Sequence, residues 1–117
     1  MKKKIAKPKQ KRSAKSVKRV DDTFYLTGNR RGAVLKEEVW YAGHDVVKYS
    51  LAYINHKVYG GDNGRVLGYD NTHDYHHRHF MGNIEEIDFA GYARLLDRFE
   101  EEVEQLWRLE DEQKPSI

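Results

Sequence analysis

The chain has 117 residues, with 21 Lys and Arg against 19 Asp and Glu, six His and no Cys. This length suits one small domain rather than two, and the lack of Cys excludes a disulfide framework and a thiolate-ligated zinc site. The formal net charge of +2 hides a strong asymmetry: Met1 to Val20 carries ten basic residues and no acid, leaving 11 basic against 19 acidic residues, a net charge of −8, from Asp21 onward.

Met1 to Val20 offers only Ile5, Val17 and Val20 as branched apolar residues and contains Pro8. It cannot bury enough surface to order itself, so a disordered basic N-terminal tail is expected over residues 1–20. Lys2, Lys3, Lys4, Lys7, Lys9, Lys11, Arg12, Lys15, Lys18 and Arg19 would attract phosphate backbones by releasing condensed counterions, giving affinity without sequence preference. A solubilising tail is the alternative. No apolar run reaches the roughly 20 residues of a membrane helix, and no signal-peptide core is present. A soluble, cytoplasmic protein without membrane contact is therefore expected.

From Thr23 the composition becomes β-like, with Thr23–Thr27, Ala33–Ala42 and Val46–Ile54 rich in branched and aromatic residues. Alternation in the third run puts Val47, Tyr49, Leu51 and Tyr53 on one face, as in a half-buried antiparallel strand. Tyr59 to Val66 concentrates Gly, Asp and Asn and predicts a hairpin, with Val66, Leu67 and Tyr69 on the returning strand. A glycine-rich phosphate cradle should open a helix, and this segment does not. Arg78 to Met81 supplies a further strand.

Asp88 to Asp111 predicts one helix, with Asp88 as its N-cap and a stripe of Phe89, Tyr92, Leu96, Phe99, Val103 and Leu106. Asp97, Glu100, Glu101, Glu104 and Arg108 face away from the stripe. Covering a sheet face is the expected use of such a stripe, although its heptad-like spacing also suits a homo-oligomer seam. The expected fold is α+β: a four- or five-stranded, mainly antiparallel sheet with one long C-terminal helix, forming a single domain over residues 21–112 before a short C-terminal tail at 113–117.

Four of the six histidines, His73, His76, His77 and His79, fall within seven residues, with Arg78 among them and Asp70 and Asn71 just upstream. One reading is a metal site built from His73, His77 and His79 with Asp70 or Asp74. The spacing follows no specific metal motif, and the adjacent Arg argues against a dedicated site, so no metal or cofactor is expected. The other reading is metal-independent cleavage of RNA, which needs two tuned proton carriers and a cation at one phosphate. His77 and His79 would be the acid–base pair, Arg78 and Lys48 the phosphate ligands, and Asp70 the group orienting an imidazole. His44 and His56 are expected at the surface, and Trp40 and Trp107 in the core or at a strand edge.

Val39-Trp40, Lys48-Tyr49-Ser50-Leu51, Gly68-Tyr69-Asp70-Asn71 and His76-His77-Arg78-His79 with Gly82 resemble the TumE-like toxins of prokaryotic toxin–antitoxin pairs. The resemblance covers roughly Arg31 to Arg108, and its most specific part is the Tyr-Asp-Asn tripeptide before the His/Arg cluster. It implies a growth-inhibiting toxin neutralised by a separately encoded antitoxin. The Lys-rich run before Asp21 departs from the family pattern. RNA is the substrate expected from the residue types, and the competing reading is a non-catalytic nucleic-acid- or ribosome-binding protein.

Overall fold

The computed structural model describes residues 15–113. Six strands, β1 (Val17–Tyr25), β2 (Val34–Ala42), β3 (Asp45–Ile54), β4 (Arg65–Asp70), β5 (His77–Phe80) and β6 (Asn83–Glu86), precede one helix, α1 (Tyr92–Glu112). The strands lie in sequence order, and every neighbouring pair is antiparallel. Such a meander needs no crossover, and each strand can pair with the one just made.

The sheet has one strand more than expected. β6 is exposed along its whole length and carries no apolar alternation, so nothing in its composition marks it as a strand. It forms because Met81 and Gly82, both at positive φ (45° and 87°), make a two-residue turn that brings Asn83 opposite Phe80. Gly82 is needed there twice over, since a Cβ would also lie 2.5 Å from the Tyr59 hydroxyl. At the other edge, β1 starts at Val17, four residues ahead of the expected boundary at Asp21, so Val17 to Val20 belong to the sheet rather than the tail. Pairing with β2, at Val17↔Tyr41, Lys18↔Trp40 and Val20↔Val39, extends the strand into this basic segment.

The helix begins later than predicted, at Tyr92, and its N-cap is Gly91 rather than Asp88. Phe89 fits the helical spacing by coincidence. Its ring instead stacks on His76, with centroids 3.9 Å apart and planes 3° from parallel, and residues 87–91 stay outside the helix. Leu95, Phe99 and Val103 are buried most deeply, flanked by Tyr92, Leu96, Leu106 and Trp107. They pack on Tyr49, Leu51 and Tyr53 of β3 and Leu67 and Tyr69 of β4, all nearly inaccessible. Val47, expected on the same face, is 43% exposed.

Phenols and carboxylates fasten the helix to the sheet. The Tyr53 hydroxyl donates to Glu110 (2.8 Å), Tyr69 to Glu102, and Tyr92 to Glu37 (2.6 Å). Burial and these carboxylates push all three phenols above their ordinary range. Arg30 secures the far end: its Nη2 donates to the Trp107 carbonyl (2.8 Å) and Asp111 (3.0 Å), and its guanidinium lies 4.9 Å from the Trp107 ring centre. Trp107 is a core aromatic, edge-on to Tyr53.

Candidate active site

α1 covers one face of the sheet, and the strand register assigns the remaining side chains to the other. On β4 and β5 the pairs Asp70↔His77 and Gly68↔His79 fall on the helix-free face, while Tyr69↔Arg78 falls on the helix side. The tripeptide Tyr69-Asp70-Asn71 therefore does three separate jobs. Tyr69 fastens the helix. Asp70 organises the helix-free face. Asn71 continues the pairing of β3 beyond the end of β4, accepting from the Tyr49 N–H (3.1 Å) and donating to the Val47 carbonyl (3.0 Å).

Asp70 is the centre of the cluster. Its Oδ1 lies 2.9 Å from His77 Nε2 and its Oδ2 3.2 Å from His79 Nε2. Thr72 adds two donors to Oδ1, its hydroxyl at 2.6 Å and its N–H at 3.1 Å. Burial alone would raise the Asp70 pKa, but the Thr72 bonds and the two imidazoles outweigh it and hold the carboxyl below its ordinary range.

The two imidazoles have different partners. His77 Nδ1 is 3.0 Å from the Tyr75 carbonyl, and its Nε2 faces Asp70, so both ring nitrogens meet acceptors. The Tyr75 ring also stacks on His77 at 4.4 Å. His79 Nδ1 lies 3.1 Å from Arg65 Nη2, which can only donate, so this nitrogen accepts and the proton of a neutral ring sits on Nε2. Burial, then the Arg65 charge, lowers the His79 pKa against the opposing pull of Asp70. The result is two differently partnered imidazoles on a shared carboxylate, His77 between two acceptors and His79 beside a donor, with ring centroids 4.8 Å apart.

Arg65 is the cation of this cluster, and sequence reasoning missed it. Asp62 grips it at Nε (2.9 Å) and Nη2 (3.2 Å), and its Nη1 reaches Asp70 at 3.5 Å. The side chain lies flat across Gly68, where a Cβ would stand 2.6 Å from Arg65 Cδ and 3.2 Å from the Leu51 carbonyl. The only sequence signal was the Gly in Gly68-Tyr69-Asp70, a strand position where something crosses closely.

Arg78, expected as a phosphate ligand, is not brought to this site. Strand alternation sends it to the helix side, where it donates to Glu102 (2.8 Å) and Glu85 (3.1 Å). His76 also lies there, in a stack with Tyr49 and Phe89, and burial and the neighbouring His77 lower its pKa. Burial and the Asp70 charge push the Tyr49 phenol, 2.8 Å from His76 Nδ1, up to about 12. His73 and Asp74 sit in an exposed left-handed turn at φ of 62° and 64°, away from the cluster.

Lys48 shares the helix-free face but lies over Trp40, 4.6 Å from its ring centre, with Lys18 4.8 Å from the same ring. Lys15 and Arg19 are exposed, while Lys2, Lys3, Lys4, Lys7, Lys9, Lys11 and Arg12 lie outside the described residues. His44 and His56 are exposed, as expected.

Asp70, His77 and His79 could also hold a metal ion, since their ligand atoms lie within 4.8 Å of one another. The donor set argues against it. Arg65 occupies His79 Nδ1, which leaves Nε2 protonated and unable to ligate, and its positive charge sits beside the carboxylate a cation would need.

The family model described as Toxin TumE matches residues 9–107. The chain belongs to the TumE toxin family. It is thus a toxin of a toxin–antitoxin system, with a cognate antitoxin as partner. The family match takes in β1 and part of the basic run before it, so the departure from the family pattern noted upstream of Asp21 does not extend to the first strand. No curated protein and no solved structure matches the chain. No helix among the described residues is long and apolar enough to cross a membrane.

Proposed function

We propose that this toxin is a metal-independent endoribonuclease acting in the cytoplasm, with Asp70, His77, His79 and Arg65 as its active site. The observation that carries the reading is the pairing of two differently partnered imidazoles on one carboxylate beside a fixed guanidinium. When a phosphodiester takes over the Arg65 Nη2 donor, the lone pair of His79 Nδ1 becomes free to accept the 2′-hydroxyl proton. The 2′ oxygen then attacks phosphorus. His77 turns its Nε2–H from Asp70 to the leaving 5′ oxygen and gives up that proton, and Arg65 stabilises the charge that builds on the phosphoryl oxygens. The products are a 2′,3′-cyclic phosphate and a 5′-hydroxyl end. Lys48 and Lys18 beside Trp40, together with the basic N-terminal residues, add backbone affinity.

Replacing either histidine by Ala should reduce cleavage about a hundredfold or more, the size expected of a general acid or base. Cleavage should persist in EDTA. Loss of activity on chelation, restored by a divalent ion, would transfer the same residues to a metal mechanism.

One observation favours a second reading. His77 and His79 are only 3% and 7% exposed, which also fits a cluster that merely knits β4 to β5 in a non-catalytic RNA- or ribosome-binding protein. That reading requires toxicity to survive in any His77→Ala or His79→Ala variant that still folds. It also places affinity in the basic N-terminal residues, whose removal should then abolish binding rather than only flatten its salt dependence.

A further inference from the structure

A trough lies beside the Asp70 cluster on the helix-free face. The register places Glu38 and Ser50 in line with Asp70, and Lys36 and Ala52 in line with Gly68. Small side chains on β3 and β4 leave a cavity of about 270 Å³ between Lys36 and Glu38 on one wall and Arg65 with its carboxylate partner Asp62 on the other, floored by Ser50 and Ala52. Pockets for whole drug-sized ligands start at about 300 Å³, so this one suits a single base and its sugar.

Its charge is graded. Among the described residues Lys36 forms no ion pair, and Arg65 is held by Asp62 with its fork turned to the cluster. Lys18 fixes the Glu38 carboxylate at 3.0 Å.

We propose that this trough seats one unpaired ribonucleotide of the substrate, with its phosphate at Arg65 and its base edge toward Glu38. The inference rests on the ribonuclease reading and supplies its substrate class, single-stranded RNA. A carboxylate accepts from the ring and amino N–H groups that a base presents on its Watson–Crick edge, and the guanidinium beside the two imidazoles takes the phosphate, so Glu38 and Arg65 set the direction of entry. In a duplex that edge is already paired, and a base cannot leave the stack without cost. Lys36 stands on the path of the adjoining phosphate.

The test uses the full chain and a 2′-O-methylated oligonucleotide, whose blocked 2′ oxygen cannot attack phosphorus, alone and annealed to its complement. Binding is read by fluorescence anisotropy across a salt series. Ala52→Leu, which fills the trough, should weaken single-strand binding tenfold or more while leaving duplex binding, carried by the basic N-terminal residues, unchanged. Lys36→Ala, a substitution at the rim that spares the core, should lower the single-strand salt slope by about one unit. Wild-type affinity for the single strand in both variants would overturn the proposal, as would equal losses on single strand and duplex. A wild-type protein that cuts no unmodified RNA, yet binds the single strand through Ala52 and Lys36, would remove the ribonuclease reading and keep the trough. Cleavage that continues unchanged in Ala52→Leu would do the reverse.

Discussion

The two faces of the sheet are built from the same strands but bury different groups. On the helix side, Tyr53, Tyr69 and Tyr92 donate to carboxylates while Leu, Val and Phe fill the space between. On the other side no helix covers Asp70, His77 and His79, yet they are 7%, 3% and 7% exposed because Arg65 and Tyr75 lie across them. The helix side closes on apolar area and belongs to the fold. The helix-free side closes on a polar cluster that is costly to desolvate, in which His79 Nε2 is buried 3.2 Å from the Asp70 carboxylate without a formed hydrogen bond. Adjacent residues such as His76 and His77, or Arg78 and His79, thus belong to different chemistries.

That contrast is broken most severely from the helix side. Phe99→Ala removes a ring packed edge-on to Tyr69 at 6.3 Å and should cost about 3–5 kcal/mol in urea unfolding, a large part of a small domain's total. A loss below about 1 kcal/mol would show that α1 is not the lid of the core.

The sharper comparison pairs the two arginines of the cluster region. Arg65→Gln should lower RNA cleavage per folded molecule about a hundredfold, because a fixed cation acts on the developing phosphoryl charge, and should also lower the melting temperature, because Asp62 and Asp70 lose their guanidinium partner. Arg78→Gln should affect the fold alone, lowering stability by about 1–3 kcal/mol as Glu102 loses its guanidinium partner, while cleavage per folded molecule stays near wild type. If Arg78→Gln abolishes cleavage in a stable protein, the assignment of faces fails.

Gly68→Ala should have a smaller effect, on the order of tenfold in cleavage, because the new methyl must push Arg65 Cδ away from a 2.6 Å approach and shift the guanidinium from His79. The second variant Gly68→Ser, larger still, should lose more. Equal activity in all three proteins would show that Arg65 need not lie across the strand.

The smallest expected effect is on pH dependence. His76 and His79 have lowered pKa values in the folded chain, so the unfolded chain binds more protons as pH falls below about 6.5 and stability falls with it. Asp70, also lowered, adds stability that is present above about pH 4 and is lost as pH falls through its folded value. The melting temperature should therefore decline in two steps on acidification, and His79→Gln should remove part of the upper step and weaken the lower one, because His79 helps to hold the Asp70 carboxyl down. A melting temperature that rises between pH 6.5 and 5 would contradict the burial of both imidazoles as neutral rings.

The period-2 and helical patterns that decide fold class are legible along the chain, because alternation in Val46–Ile54 and the stripe through Leu96, Phe99 and Val103 are local consequences of burial on one side. The sequence also marked Asp70, His77 and His79 by their density, but grouped Arg78 with them as a phosphate ligand, which the alternation of β5 overturns by turning Arg78 to the helix side. Only the tertiary structure decided which cation serves the histidines, since Arg65 is 14 residues from His79 in the chain and reaches it by crossing Gly68. It also decided where the helix starts, with Phe89 stacked on His76 ahead of it, and where β1 and β6 run, because an edge strand is made by the neighbour that pairs with it rather than by its own composition.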